Sequence, residues 1–314
     1  MKNIFVTFTL LASIFALSVA MASETSPYQF LRYNSGARAA ALGGATVSIA
    51  GDGSMLFYNP AVLPTVKQKP VTATFLKHVM DINSGSASYV RHYDGIGSFS
   101  ASAIFTNYGS FDAADVSGNK TGTFSANDVC LSVGYGNTLD TNLYYGAAMK
   151  LIYVGLDDAS SAAMAFDFGM LYTLPNGSTS LGLSVLNAGF QLSKFYDNVE
   201  KLPLDVRLGI SHRLMGLPLL FNFSFHHLAD KEDSFGDRFA NFSLGGEIYL
   251  GEKFMVRLGY DNHIRQNSSP ADEKKLSGMS IGAGLKLEKF NIDYSLSQIG
   301  LSATLHRIGV SFDI

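Results

Sequence analysis

The chain has no tryptophan and one cysteine, Cys130. A lone thiol excludes an internal disulfide, and with no histidine clustered beside it in the sequence it offers no metal centre. Charge is also scarce. Only 16% of residues are charged, and 23 basic against 26 acidic side chains leave a net charge of -3. That balance gives no electrostatic case for nucleic acid as a partner. Long apolar runs are missing after the first 22 residues, so a later membrane-spanning helix is excluded.

Motifs for chemistry are missing as well. The glycines from Gly36 to Gly44 lack the Gly-Lys-Ser/Thr ending of a phosphate loop, a preceding strand and a βαβ setting. Asp52-Gly53-Ser54 is too sparse for a calcium loop. His226 and His227 are read on a strand, where they point to opposite faces and cannot share a metal. No nucleophile elbow or carboxylate pair stands out. The expectation is a non-enzymatic protein with no cofactor and no metal.

What is abundant is glycine and aromatic residues, with 31 Gly, 23 Phe and 15 Tyr. This mixture fits β-structure better than helices. The start reads as a Sec signal peptide, residues 1–22. Lys2 is the positive end, Ile4 to Ala20 the apolar stretch and Ala20-Met21-Ala22 the cleavage motif. An exported, apolar, Gly- and Tyr-rich chain leaves a secreted β-protein or a transmembrane β-barrel.

From Val71 onward, period-2 alternation recurs. In "NLYYGAAMKLIYV", Tyr145, Met149, Leu151 and Tyr153 share one face, and Gly146, Ala148 and Lys150 the other. In "FANFSLGGEIYL", Phe242, Leu244, Ile248 and Leu250 oppose Asn241, Ser243, Gly245 and Glu247. The last strand sets Ile308, Val310 and Phe312 against Arg307, Gly309 and Ser311. A strand between two environments alternates in this way; a helix does not. Counting such runs predicts about fourteen strands across residues 70–314, many of about ten residues, enough to cross a bilayer when tilted.

The connections sort by parity. "HYDG", "GNTLDT", "LPNGS", "MGLP" and "LGEK" are short, whereas the long ones, 108–125, 189–203, 229–239 and 262–276, all fall on the other side. An up-and-down barrel does this, with short periplasmic turns and longer outer loops. The fold expected is therefore all-β: a transmembrane antiparallel barrel of about fourteen strands. Charges expected to face inward are Arg91, Lys150, Asp167, Asp205, Arg207, Arg213, Glu247, Arg257, Asp261, Asp293 and Arg307.

Residues 23–69 are small, Gly-rich and poorly periodic, hence poor membrane strands. They precede a barrel wide enough to enclose them and are expected to form an N-terminal hatch in its lumen. Arg38 is expected to meet hatch carbonyls or an inward carboxylate such as Asp205 or Glu247. Gly43 and Gly44 permit close backbone packing. Asn59, Pro60 and Ala61 read as a helix cap with proline at the first helical position.

The segment "GARAAALGGATVSIAGDGSMLFYNPAVLP" resembles the N-terminal region of the PorV/PorQ family of outer-membrane proteins, relatives of the FadL-like fourteen-stranded barrels. "DINSGSASYVRHYDGIGSFSAS", "NYGSFDAADVSGNKTGTFSAND" and "LPLDVRLGIS" extend the resemblance over nearly the whole chain after the signal peptide. It implies an outer-membrane component of the type IX secretion system. There it would sit in lipid and anchor a PorZ-like surface protein, together with a PorU-like sortase and a PorV-like protein. The aromatic residues Tyr108, Phe111, Phe124, Phe190, Phe195 and Tyr196 are the expected docking anchors in the outer loops. The alternative expectation is a FadL-like transporter of small hydrophobic molecules, which requires an apolar pocket near the hatch.

Overall fold

The computed structural model describes residues 26–78, 82–195, 199–268, 276–301 and 303–313. The expected signal peptide and Tyr196 lie outside the described residues. Fourteen antiparallel strands close into one barrel. They are β1 (Val71–Lys77), β2 (Asn83–Tyr93), β3 (Gly97–Ala114), β4 (Lys120–Asp140), β5 (Leu143–Leu156), β6 (Ala159–Thr173), β7 (Thr179–Ser193), β8 (Asp205–Arg213), β9 (Leu219–Phe225), β10 (Phe242–Leu250), β11 (Phe254–Asp261), β12 (Met279–Lys286), β13 (Phe290–Ile299) and β14 (Ala303–Phe312). Each strand pairs with its neighbours in sequence, and β1 closes on β14 from Val71 opposite Phe312 to Lys77 opposite His306. Closure leaves no sheet edge with unpaired backbone groups, which a bilayer core demands.

The alternation read from sequence separates the two faces of the wall. Tyr145, Met149, Leu151 and Tyr153 of β5 point out and are exposed, while Lys150 and Ile152 between them are buried. Ile308, Val310 and Phe312 of β14 point out, and Arg307 is buried. Phe75, Phe99, Phe105, Leu131, Phe168, Phe221, Phe254 and Leu258 continue this apolar outer surface around the barrel. In water it would be an aggregation surface; in a bilayer it is the lipid-facing belt.

Three sequence expectations about the wall need correction. The stretch 108–125 is mostly not a loop: β3 and β4 extend through it and leave a turn at 115–119. Phe111 lies opposite Phe124, and the rings stack with centroids 5.3 Å apart. Asp115 accepts from the Ser117 and Asn119 N–H groups, each at 2.9 Å, and tightens the turn. Likewise β7 runs to Ser193, so the connection there is shorter than 189–203. Finally, Arg91 and Arg213 are exposed, not enclosed. They sit over the Tyr93 and Tyr249 rings at 5.1 and 4.8 Å, with the cation at the solvated end of the strand.

Residues 26–69 run inside this wall. They form short helical turns at Gln29–Arg32, Gly53–Phe57 and Pro60–Thr65, and one α-helix, α1 (Ala37–Ala41). α1 packs on β11 to β14, Pro60–Thr65 on β3 to β6, and Gly53–Phe57 on β1 and β2, so the segment is ringed by strands. Leu42, Met55, Val62 and Leu63 are wholly buried, and each burial of that kind is worth roughly 1.5–3 kcal/mol. One close approach is at β11. Gly43, in left-handed conformation with φ 64°, lies against Tyr260 and Gly259. A Cβ on Gly259 would stand 2.2 Å from the Gly43 nitrogen, so that wall position admits no side chain while the hatch is seated.

Candidate functional site

The hatch is fastened at one end of the lumen by a partly buried ion cluster. Arg38 of α1 donates from Nε and Nη2 to Glu247 of β10, at 2.9 and 2.8 Å, and from Nη1 to Asp52 at 2.9 Å. Glu247 also accepts from Arg257 of β11 and from the Tyr249 hydroxyl. Arg257 reaches Asp293 of β13 at 2.6 Å. The fork-shaped guanidinium of Arg38 thus joins the hatch to one wall carboxylate, and that carboxylate is tied to the neighbouring strands. Burial pushes the Asp52 carboxyl up, but Arg38 beside it and the Ser54 hydrogen bonds outweigh this and hold it below the ordinary value. Asp52 therefore stays ionised through mild acid, and its share of the fastening is lost only as pH falls through that lowered value.

Asn59 fixes the next turn. Its Oδ1 accepts from the Ala61 N–H at 3.0 Å, and its Nδ2 donates to the carbonyls of Val47 and, across to β6, Met170 at 2.8 and 3.1 Å. Pro60 stands at the first helical position and Ala61 is fully buried. Gly44 follows Gly43 with φ 82°, and its N–H donates to the Ala39 carbonyl at 2.9 Å.

At the other end the first described residues of the hatch lie against an open cleft of about 1040 Å³. Ser26 and Pro27 form its floor, and Tyr108, Phe111, Phe124, Val154, Leu156 and Phe195 line it. Its charged lining residues are Asp128, Asp157 and Glu200; no basic side chain lines it among the described residues. The Tyr108 hydroxyl donates to Asp128 at 2.6 Å and so points its ring across the wall. Below the floor, Tyr28 and Phe30 pack on Ile104, Cys130, Ile152 and Val154. Cys130 is buried in that apolar cluster.

Of the aromatic residues expected as docking anchors, Tyr108, Phe111, Phe124 and Phe195 line one cleft. Phe190 does not. It lies on β7, opposite Met164, beside Gly189 and Lys194 in a separate hollow.

A second cavity, about 420 Å³, lies between the hatch and β8 to β14. Sequence reasoning missed it, because His226 and His227 are not on a strand. β9 ends at Phe225, and His227 takes the left-handed conformation with φ 55°. That break turns both rings into one cavity, with centroids 4.6 Å apart, and brings His263 to 4.5 Å from His227. Burial lowers all three histidines, His226 to about 3, so the rings are neutral at neutral pH. Arg32 of the hatch closes one side through two bonds to Asp230, at 2.8 and 2.5 Å.

No family model matches the sequence, and no curated protein matches it. Solved structures do match in shape. The toluene transporter TodX of Pseudomonas putida superimposes with a TM-score of 0.58 at 13% identity, over 88% of this chain and 97% of that one. The toluene transporter TbuX of Ralstonia pickettii gives 0.57 at 13% identity, over 88% and 98%. A FadL homologue of Pseudomonas aeruginosa gives 0.56 at 10% identity, over 89% and 98%. At such identities the likeness is one of fold: this chain has the fourteen-stranded barrel architecture of FadL-type outer-membrane proteins.

Proposed function

We propose that this chain is an outer-membrane barrel that captures an uncharged hydrophobic molecule in the cleft lined by Tyr108, Phe111, Phe124 and Phe195. One observation carries the reading: an apolar cleft of about 1040 Å³ opens directly onto the first residues of the hatch. The volume suits a small ligand. Its acidic lining residues, Asp128, Asp157 and Glu200, disfavour a fatty-acid carboxylate and favour a neutral ligand, by like-charge repulsion. The structural neighbours TodX and TbuX, both described as toluene transporters, support this choice.

A second reading is a PorQ-like anchor of the type IX secretion system that holds a PorZ-like surface protein, with PorU-like and PorV-like partners. The sequence resemblance favours it, and so does the fastening of the hatch by Arg38 and Glu247, which suits a plugged scaffold. In that case the same four aromatic side chains are protein-docking anchors.

The two readings separate in one purification. Native outer membranes are solubilised in mild detergent, the tagged chain is recovered, and its bound proteins and small molecules are identified by mass spectrometry. Uptake of a hydrophobic molecule predicts a co-purified neutral apolar compound, lost in the double variant Phe111→Ala/Phe124→Ala, with no stoichiometric protein partner. Recovery of a large surface protein, lost in the same variant, would instead establish the anchor.

A further inference from the structure

The cavity behind the hatch holds a side-chain cluster that neither reading uses. A turn in which the Asp230 N–H donates to the His227 carbonyl at 3.0 Å puts the two side chains on one side. His263 arrives from α2 (Asn262–Asn267), whose first turn is capped by Asp261 through the Ile264 N–H at 3.0 Å. The nitrogen and oxygen atoms these three side chains offer all lie within 4.8 Å of one another. We propose that His227, Asp230 and His263 form a binding site for a borderline divalent cation of the zinc type.

Several features fit a cation of that class. Two imidazoles and one carboxylate make a common three-ligand set for zinc, which leaves a fourth position to water or a ligand. Here that position faces the cavity of about 420 Å³. Nδ1 of His227 is buried and has no hydrogen-bond partner among the described residues, which is costly unless something else satisfies it. Its other nitrogen, Nε2, stands 3.7 Å from Asp205, and Arg207 in turn binds Asp205 at 2.6 Å. A carboxylate behind the far nitrogen of a metal-bound imidazole orients the ring and raises its basicity. The local charge is balanced before a cation enters. Arg32 faces Asp230 and Arg207 faces Asp205, one against one, and Asp261, 3.6 Å from His226, offsets Arg307, which also lines the cavity. Arg32 occupies one lone pair on each Asp230 oxygen and leaves the others for coordination. Tetrahedral zinc with bonds of about 2.0–2.1 Å needs its ligand atoms roughly 3.4 Å apart. The spread of up to 4.8 Å has to close to that spacing on binding, which rotation of the half-buried His263 side chain would supply.

The consequence is mechanical. His227 and Asp230 belong to the β9–β10 connection and His263 to the β11–β12 connection, while Asp230 is already bound to Arg32 of the hatch. A cation would clip two connections together over the hatch and so slow its release.

The test uses the full chain, purified in detergent after chelator treatment, with zinc chloride alone as the probe and isothermal titration as the readout. Cobalt(II) substitution, followed by its visible absorption, reports the coordination number. The expected result is one zinc per chain, a four-coordinate cobalt spectrum, and affinity weakened at least tenfold in both His227→Asn and His263→Gln. Asparagine is chosen at 227 because it tolerates the left-handed backbone there. His92→Ala, at an exposed position on β2, is expected to bind like the parent. Heat-modifiable migration on gels checks that each variant folds, and His263→Gln carries the test alone if His227→Asn does not. No saturable binding by the parent chain, or undiminished binding by either folded variant, would overturn the proposal.

Discussion

Removing residues 26–69 is expected to turn a closed barrel into a conducting one. In planar bilayers the intact chain should be silent, and the shortened chain should show stable single-channel steps. The strand ladder closes through β1 and β14 without help from the hatch, so the barrel should still form and remain heat-modifiable. What disappears is the packing that fills it: Leu42, Met55, Val62 and Leu63 are wholly buried between the hatch and the wall. The wall exposed to the lumen carries Lys150, Asp167, Arg207, Glu247 and Arg257, which water would solvate. Barrels of about 8 strands are filled by their own side chains, while those of about 16–18 leave an aqueous channel. Fourteen strands with glycine and serine facing inward belong with the second group. Unchanged silence would show that something other than the hatch closes the pore.

Arg38→Ala is the second large effect. Glu247 keeps Arg257 and Tyr249 when Arg38 is removed, so the wall carboxylate is not orphaned. Asp52 is different: its ion pair is to Arg38. Breaking a fully buried pair by deleting one partner costs about 3–5 kcal/mol, and this half-buried pair, whose Asp52 keeps its Ser54 hydrogen bonds, belongs at or below the lower end of that range. Taking about 3 kcal/mol, the undocked population of the hatch rises roughly a hundredfold, since each 1.4 kcal/mol is a factor of ten. Limited proteolysis from the periplasmic side should then cut within residues 37–66 at a correspondingly higher rate. Arg38→Lys keeps the charge but not the fork, and should fall between the two. Arg91→Ala, at an exposed arginine, should leave the digestion pattern unchanged.

The wall of this protein was legible because its code is local. Alternation at Tyr145 to Tyr153 and at Phe242 to Leu250 reports two environments directly, and the parity of loop lengths reports the closed up-and-down order. Strand ends were less legible. Phe111 and Phe124 read as loop residues because nothing local says that they stack on each other across β3 and β4. The histidine cluster was hidden for a sharper reason. A single left-handed residue, His227, flips the period-2 rule on which the separation of His226 and His227 rested. The one sequence signal for such a break, a histidine pair at the end of an aromatic strand, is not specific. The hatch contacts were partly legible: an arginine among small residues asks for a carboxylate, but which of several inward carboxylates it meets is decided by the seating of α1 against β11 to β14.

The absence of tryptophan gives the most direct measurement of the central claim, capture of a neutral hydrophobic molecule in the outer cleft. Phe124→Trp places the only indole of the protein on the cleft wall, and Val116→Trp places one on the fully exposed outer turn. Both are reconstituted in lipid nanodiscs and titrated with a brominated monoaromatic compound, a quencher that must touch the indole. Saturable quenching at Trp-substituted position 124, competed by toluene, with only weak linear quenching at position 116, is the result predicted. Linear, non-competable quenching of equal strength at both positions would show simple partitioning into lipid and contradict capture in the cleft.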